Sequence, residues 1–206
     1  MADMLFLFPT RVWRARLDAA PARALNAEII AAARDFSEGD AAGRAWCAAH
    51  AYPGYTSYGS LDDLPARAPC FAALKAHLDR EAKAFAAALS LDLGRARLKL
   101  DNLWVNVLEK DGVHAGHIHP HAVISGTYYA ATPKGAAALK FEDPRLPMMM
   151  ARPTLLSDAP EAERPFVYVA PEPGMILMWE SWLRHEVPRN ASRGPRISAS
   201  FNYRWG

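Results

Sequence analysis

The chain has little cysteine, little net charge and no long apolar run, and each shortage excludes something. Of 206 residues only Cys47 and Cys70 are cysteines. Without a Cys-x-x-Cys spacing they describe no disulfide framework, and they read as small core residues in a reducing compartment. The formal charge of +2 is nearly balanced. Arg11, Arg14 and Arg16 cluster too briefly to make a basic stripe, so no nucleic-acid partner is indicated. The apolar run at residues 4–8 stops at Pro9, short of a signal-peptide core or a membrane span; the expectation is a cytoplasmic protein without a membrane partner. What is present is apolar content, 51% of the chain, which suffices for residues 1–206 to form a single domain with a full core.

The apolar period changes along the chain. Residues 5–17 alternate loosely and predict an opening strand. Asp18 and Pro21 then predict the start of a helix carrying Leu25, Ile29, Ala33 and Phe36 on one face. The stretch 37–65 holds Tyr52, Tyr55, Tyr58 and several glycines without a sustained period, and reads as a loop. A second helix is predicted over Pro69–Ala88, with Phe71, Leu74, Leu78 and Phe85 in one stripe. From residue 96 the period becomes two, predicting strands at 98–107, 122–131, 137–141, Phe166–Val169, 175–179 and 196–203. Helices first and strands afterwards predict a mainly β fold with flanking helices: residues 1–95 support a β-barrel core at 96–206. The proline-rich stretch 144–173, with Met148, Met149 and Met150, reads as an insertion available as a lid over the barrel mouth or as a homodimer contact.

Chemistry concentrates at Gly116-His-Ile-His-Pro-His121. Two imidazoles at i and i+2 of a strand point the same way, and a third returned by a distant strand completes a metal site. His117, His119 and His185 satisfy this pattern; His114 and His121 lie close enough to replace one of them. Imidazole suits iron, zinc, copper and nickel, so the donors do not choose the metal. On the last strand Arg196, Ser198, Ser200 and Asn202 form one face, and Ile197, Ala199, Phe201 and Tyr203 the other. Around a ligand-holding barrel the polar face turns inward. An arginine there offers a bidentate fork to a buried carboxylate.

Taken in order, His117-x-His119-Pro, Ser125-Gly-Thr-Tyr-Tyr129, Gly174 before an apolar strand, His185 and Arg196-Ile-Ser198 resemble the 2-oxoglutarate/iron(II)-dependent oxygenases. The likeness covers residues 104–205, and it implies a double-stranded β-helix, the jelly-roll or cupin-like barrel. It also implies Fe(II) held by His117, His119 and His185, with 2-oxoglutarate as cosubstrate. Arg196 and Ser198 would bind the far carboxylate, Tyr129 or Tyr128 would add a hydroxyl, and Asn106 is a further candidate contact. The implied reaction is hydroxylation of a small-molecule or peptide substrate with release of succinate and CO2. One departure stands out: most of the superfamily has a carboxylate where His119 stands. A neutral third ligand leaves the Fe(II) centre one unit more positive, which a dianionic cosubstrate would neutralise.

Two rival readings share the histidines. A cupin-type dioxygenase or isomerase needs no 2-oxoglutarate, but it tends to place a glutamate soon after the His-x-His pair; none occurs between His119 and Lys140, and Arg196 would have no task. A non-catalytic metal-binding module predicts a closed four-ligand site.

Overall fold

The computed structural model describes all 206 residues. Ten strands and three α-helices follow in the order β1 (Val12–Arg16), α1 (Ala19–Gly39), α2 (Ala41–Ala49), β2 (Tyr55–Thr56), α3 (Pro69–Ala88), β3 (Leu98–Leu108), β4 (His114–His117), β5 (Ile124–Ala131), β6 (Leu139–Glu142), β7 (Phe166–Val169), β8 (Met175–Glu180), β9 (His185–Val187) and β10 (Arg196–Trp205). They form two antiparallel sheets, a large one ordered β1-β8-β5-β10-β3-β2 and a small one ordered β4-β9-β6-β7. The sheets face each other as a double-stranded β-helix.

The helical stripes explain the outer layer. Leu25, Ile29 and Ala33 of α1, with Phe71, Leu74, Leu78 and Phe85 of α3, are buried in one cluster with Leu103, Val105, Ile176, Met178, Ile197, Ala199 and Phe201 of the large sheet. Alternation then dictates where the other faces go. A second cluster, including Leu108, Tyr129, Phe141, Leu177, Trp179 and Val187, fills the space between the sheets. Gly126 on β5 permits close packing, because a Cβ there would strike the Phe201 ring and the Leu177 carbonyl. No helix is long and apolar enough to cross a membrane.

Three sequence expectations are corrected. The opening strand is Val12–Arg16 alone, paired to β8; residues 1–10 form no element and lie exposed, since no partner strand reaches them. The stretch 37–65 is not simply a loop. It contains α2, started by Asp40, whose carboxylate accepts from the Gly43 N–H at 2.9 Å. It also contains β2, paired with β3. Asp18 precedes α1 but makes no capping hydrogen bond.

The insertion at 144–173 carries two short 3-10 turns, Leu146–Met148 and Glu161–Glu163, and the strand β7. It folds around a groove of about 550 Å³ lined by its own residues and β7, including Met149, Leu155 and Phe166. None of its residues lines the two cavities beside the histidines.

Candidate functional site

His117 ends β4 and pairs directly with His185, the first residue of β9. His119 lies two residues beyond β4, so alternation along a strand does not place it. Its backbone N–H donates to the Ser181 carbonyl at 2.9 Å, and this bond turns the chain so that the imidazole swings back. The side-chain nitrogens of His117, His119 and His185 all come within 4.8 Å of one another. Nε2 of His119 is 3.3 Å from Nε2 of His185. Neighbouring ligands about 2.1 Å from a shared ion stand roughly 3 Å apart, so the spacing of this pair suits coordination.

The backbone selects the tautomers. His117 Nδ1 is 2.7 Å from the Ala115 carbonyl and His185 Nδ1 is 2.9 Å from the Leu183 carbonyl. A carbonyl only accepts, so both Nδ1 atoms carry hydrogen and both Nε2 atoms present lone pairs. Burial keeps the rings uncharged, with neighbouring imidazoles acting in the same direction on His185 and His119 and the Arg184 guanidinium on His117. It lowers His185 to about 2 and His119 to about 4, and holds His117 below its usual value against the pull of the Ala115 carbonyl. Neutral imidazoles with free lone pairs are ligands without a proton to displace.

His114 stacks on His117 at 4.6 Å, and its Nδ1 is 3.3 Å from the Tyr52 hydroxyl. Burial lowers it to about 3. It borders the donor cluster without being part of it, while His121 is exposed and lines only the outer cavity.

The inner cavity is walled by the three imidazoles together with Asn106, Leu139, Trp179, Arg196 and Ser198. Arg196 is 3% exposed. Its Nε donates to the Ala137 carbonyl at 3.2 Å, Nη1 to Ser198 Oγ at 3.3 Å, and its guanidinium carbon sits 4.9 Å over the Tyr129 ring. No carboxylate of the protein forms an ion pair with it. A buried cation without a counter-ion costs several kcal/mol unless a ligand supplies the charge. Three buried polar atoms nearby also lack partners: Asn106 Oδ1, the Tyr129 hydroxyl and Trp179 Nε1. Asn106 Nδ2 donates to Ser200 Oγ at 3.0 Å.

Adjacent side chains on β5 take opposite faces. Tyr128 points to the helices, where its hydroxyl donates to Asn26 Oδ1 at 2.6 Å. Tyr129 lies under Arg196 and does not line the cavity. Trp179 presents its edge to His185, with centroids 4.5 Å apart, whereas Trp182 and Trp205 are 46% and 59% exposed. Glu186 borders the cavity and pairs with Lys140 at 2.8 Å.

Tyr52 belongs to the tyrosine-rich loop that the sequence offers as a candidate substrate-positioning element, whereas Trp104, Thr127 and Leu139 were not expected as site residues; all four line the inner cavity. The tyrosine-rich stretch signalled the first, and alternation with Asn106 on β3 could have signalled Trp104.

Residues 102–202 match the model of a family described as "Putative 2OG-Fe(II) oxygenase". No curated protein sequence matches the chain. Among solved structures, a Pseudomonas putida prolyl-4-hydroxylase is 17% identical with a TM-score of 0.58, covering 95% of this chain and 92% of its own. AviO1 from Streptomyces viridochromogenes Tue57 is 15% identical with a TM-score of 0.64, over 95% and 90% of the two chains. The α-ketoglutarate-dependent epimerase SnoN from nogalamycin biosynthesis is 17% identical with a TM-score of 0.62, over 95% and 76%. At these identities the structures share the fold with this chain.

Proposed function

Because residues 102–202 match the model of a 2OG-Fe(II) oxygenase family, we propose that the protein binds Fe(II) through His117, His119 and His185 and uses 2-oxoglutarate to hydroxylate a substrate, releasing succinate and CO2. The observation that carries this reading is the buried, carboxylate-free Arg196 in the cavity where three neutral imidazoles converge. A metal site alone would not require that cation; a site for an organic dianion beside the metal does.

When bound, the ion would activate dioxygen, the four-electron oxidant, with two of the electrons drawn from 2-oxoglutarate as it is decarboxylated to succinate and two from the substrate. The chain's own residues hold and isolate them. His117 and His185 offer lone pairs fixed by backbone carbonyls. Arg196 receives the far carboxylate, with Ser198 holding one arm of its fork. Tyr129 stacks beneath the guanidinium and fixes its plane. Leu139, Trp179 and Val187 give the cavity dry walls, which strengthen every charge interaction inside it. Three protein ligands leave positions open at the ion, as catalysis requires and a closed structural site does not.

Anaerobic addition of Fe(II) and 2-oxoglutarate is expected to give a weak visible charge-transfer band, and admission of air is expected to give succinate. Absence of both overturns the reading. Arg196→Ala is expected to weaken 2-oxoglutarate binding by about 10- to 100-fold, the loss of a charge-assisted pair worth about 1.5–3 kcal/mol, while metal content stays near normal. Unchanged cosubstrate affinity would favour the cupin-type alternative.

A further inference from the structure

The outer cavity has a composition unlike that of the inner one. It measures about 430 Å³ and shares Tyr52, Trp104, His114, His117 and His119 with the inner cavity, so it opens directly on the metal-binding donors. Its remaining walls bring Tyr58, Asn102 and Asp101, but no lysine or arginine. The single cation, Arg196, lies on the inner side.

The aromatic rings are set as a corner. Tyr58 meets Trp104 edge-on, with centroids 5.0 Å apart and planes at 63°. Trp46 is covered on one face by His50 at 4.0 Å and closely approached by Gly59, so Tyr58, 47% exposed, is the most open ring, with Tyr52 and the largely buried Trp104 also on the wall. Asn202 is occupied, since its Nδ2 donates to Asn102 Oδ1 at 2.8 Å and its Oδ1 accepts from Ser125 Oγ at 2.7 Å. Asn102 Nδ2 makes no hydrogen bond within the protein. Asp101 pairs with Arg204, Nε to Oδ1 at 2.9 Å, at a half-exposed position.

Building on the oxygenase reading, we propose that the outer cavity is the substrate pocket and that it admits an uncharged or cationic, ring-bearing small molecule while rejecting anions. Its volume lies in the range of small-molecule sites. Aromatic faces are electron-rich and attract flat rings and cations. An anion placed there would lose its hydration against those faces and beside Asp101, and the neighbouring Arg204 guanidinium is already engaged by Asp101. The inner site carries one net positive charge, since the divalent ion balances the dianionic cosubstrate and Arg196 remains, but that guanidinium is buried and engaged by the cosubstrate's far carboxylate.

A matched probe series tests this: tryptophol, tryptamine and indole-3-acetate share one ring and differ in charge. Titrated calorimetrically into the full chain, with and without Fe(II) and 2-oxoglutarate under nitrogen, the first two are expected to bind at least tenfold more tightly than the third. Tyr58→Ala, at a half-exposed position, is expected to weaken tryptophol at least fivefold. Asp101→Lys is expected to reverse the order of tryptamine and indole-3-acetate. Equal binding of all three, preference for the acid, or no binding at millimolar concentration overturns the proposal. The succinate assay is independent of these titrations, so failure of the pocket and failure of the oxygenase reading give different results.

Discussion

The two sheets are made differently, and the difference divides the work of the site. The large sheet has long strands, with β3 of 11 residues and β10 of 10, and its outer face is sealed by α1 and α3. It presents Arg196, Ser198 and Asn106 to the inner cavity. The small sheet has strands of four, three, four and four residues, with an irregularity in the β4–β9 register between His114 and His117. It presents His117 and His185. The long-stranded, helix-backed sheet, whose β10 has its own register shifts at Ile197/Ser198 and Asn202/Tyr203, thus holds the group that must stay buried and charged, and the short-stranded sheet holds two of the metal donors. A bulged strand re-aims side chains that strict alternation would send to opposite faces.

The sharpest way to separate the two contributions is His185→Ala. Metal retention is expected to fall more than a hundredfold, read as iron content after dialysis, while the large sheet persists by circular dichroism. Loss of the whole fold would mean that the small sheet is not merely a carrier of ligands. The converse substitution, Phe201→Ala, removes a fully buried ring between the large sheet and the helices. It is expected to cost about 3–5 kcal/mol in urea unfolding. A smaller loss would show that the helix layer is less tightly coupled to β10 than its packing indicates.

The same contrast governs what the sequence discloses. α1, α3 and the long strands were legible because each repeats its period over several turns or residues, so their single buried faces are written plainly. α2 was not: it has nine residues and buries only Gly43 and Cys47, too little for a periodic signal. β4 and β9 were anticipated only through the histidines they carry and left no periodic signal, being brief and carrying histidines instead of β-branched residues. The convergence of His117, His119 and His185 was anticipated by the wrong geometry, since His119 reaches its neighbours through a turn held by Ser181 and not through a strand. Trp104 escaped notice because its place in the cavity depends on how β2 and its approach pack on β3, which no local pattern records.

Acid should act mainly through the small sheet. His185, His119 and His114 are held well below 6.5 by burial. A folded-state value below the unfolded one means that the unfolded chain takes up protons first as pH falls. The stabilising effect is therefore complete above about 6.5 and declines below it. Each imidazole that stays uncharged removes about 1.4 kcal/mol of stability per pH unit in that range. The melting temperature of the metal-free protein is expected to fall steadily from pH 7 to pH 5, and replacement of these histidines by Gln should flatten the profile. A profile unchanged by those replacements would place the acid sensitivity outside the small sheet.

The smallest expected effect tests how the large sheet's end controls the outer cavity. Asp40 joins α2 to the approach of β2, accepting from Gly43 N at 2.9 Å, the Tyr55 hydroxyl at 2.8 Å and Ser60 Oγ at 2.5 Å. Burial works to raise its pKa, but the hydrogen bonds from Ser60, Gly43 and Tyr55 outweigh it and hold the group below the usual carboxylate value. Its contribution is thus present above that usual value and lost as pH falls through the folded-state value. Asp40→Ala is expected to cost about 1–2 kcal/mol, in the range of a lost helix cap. Because Tyr58 and Tyr52 flank this joint, the substitution should loosen the outer cavity before the inner one. The expected reading is weaker tryptophol binding with 2-oxoglutarate affinity unchanged; an equal loss in both would mean that the two cavities share one support.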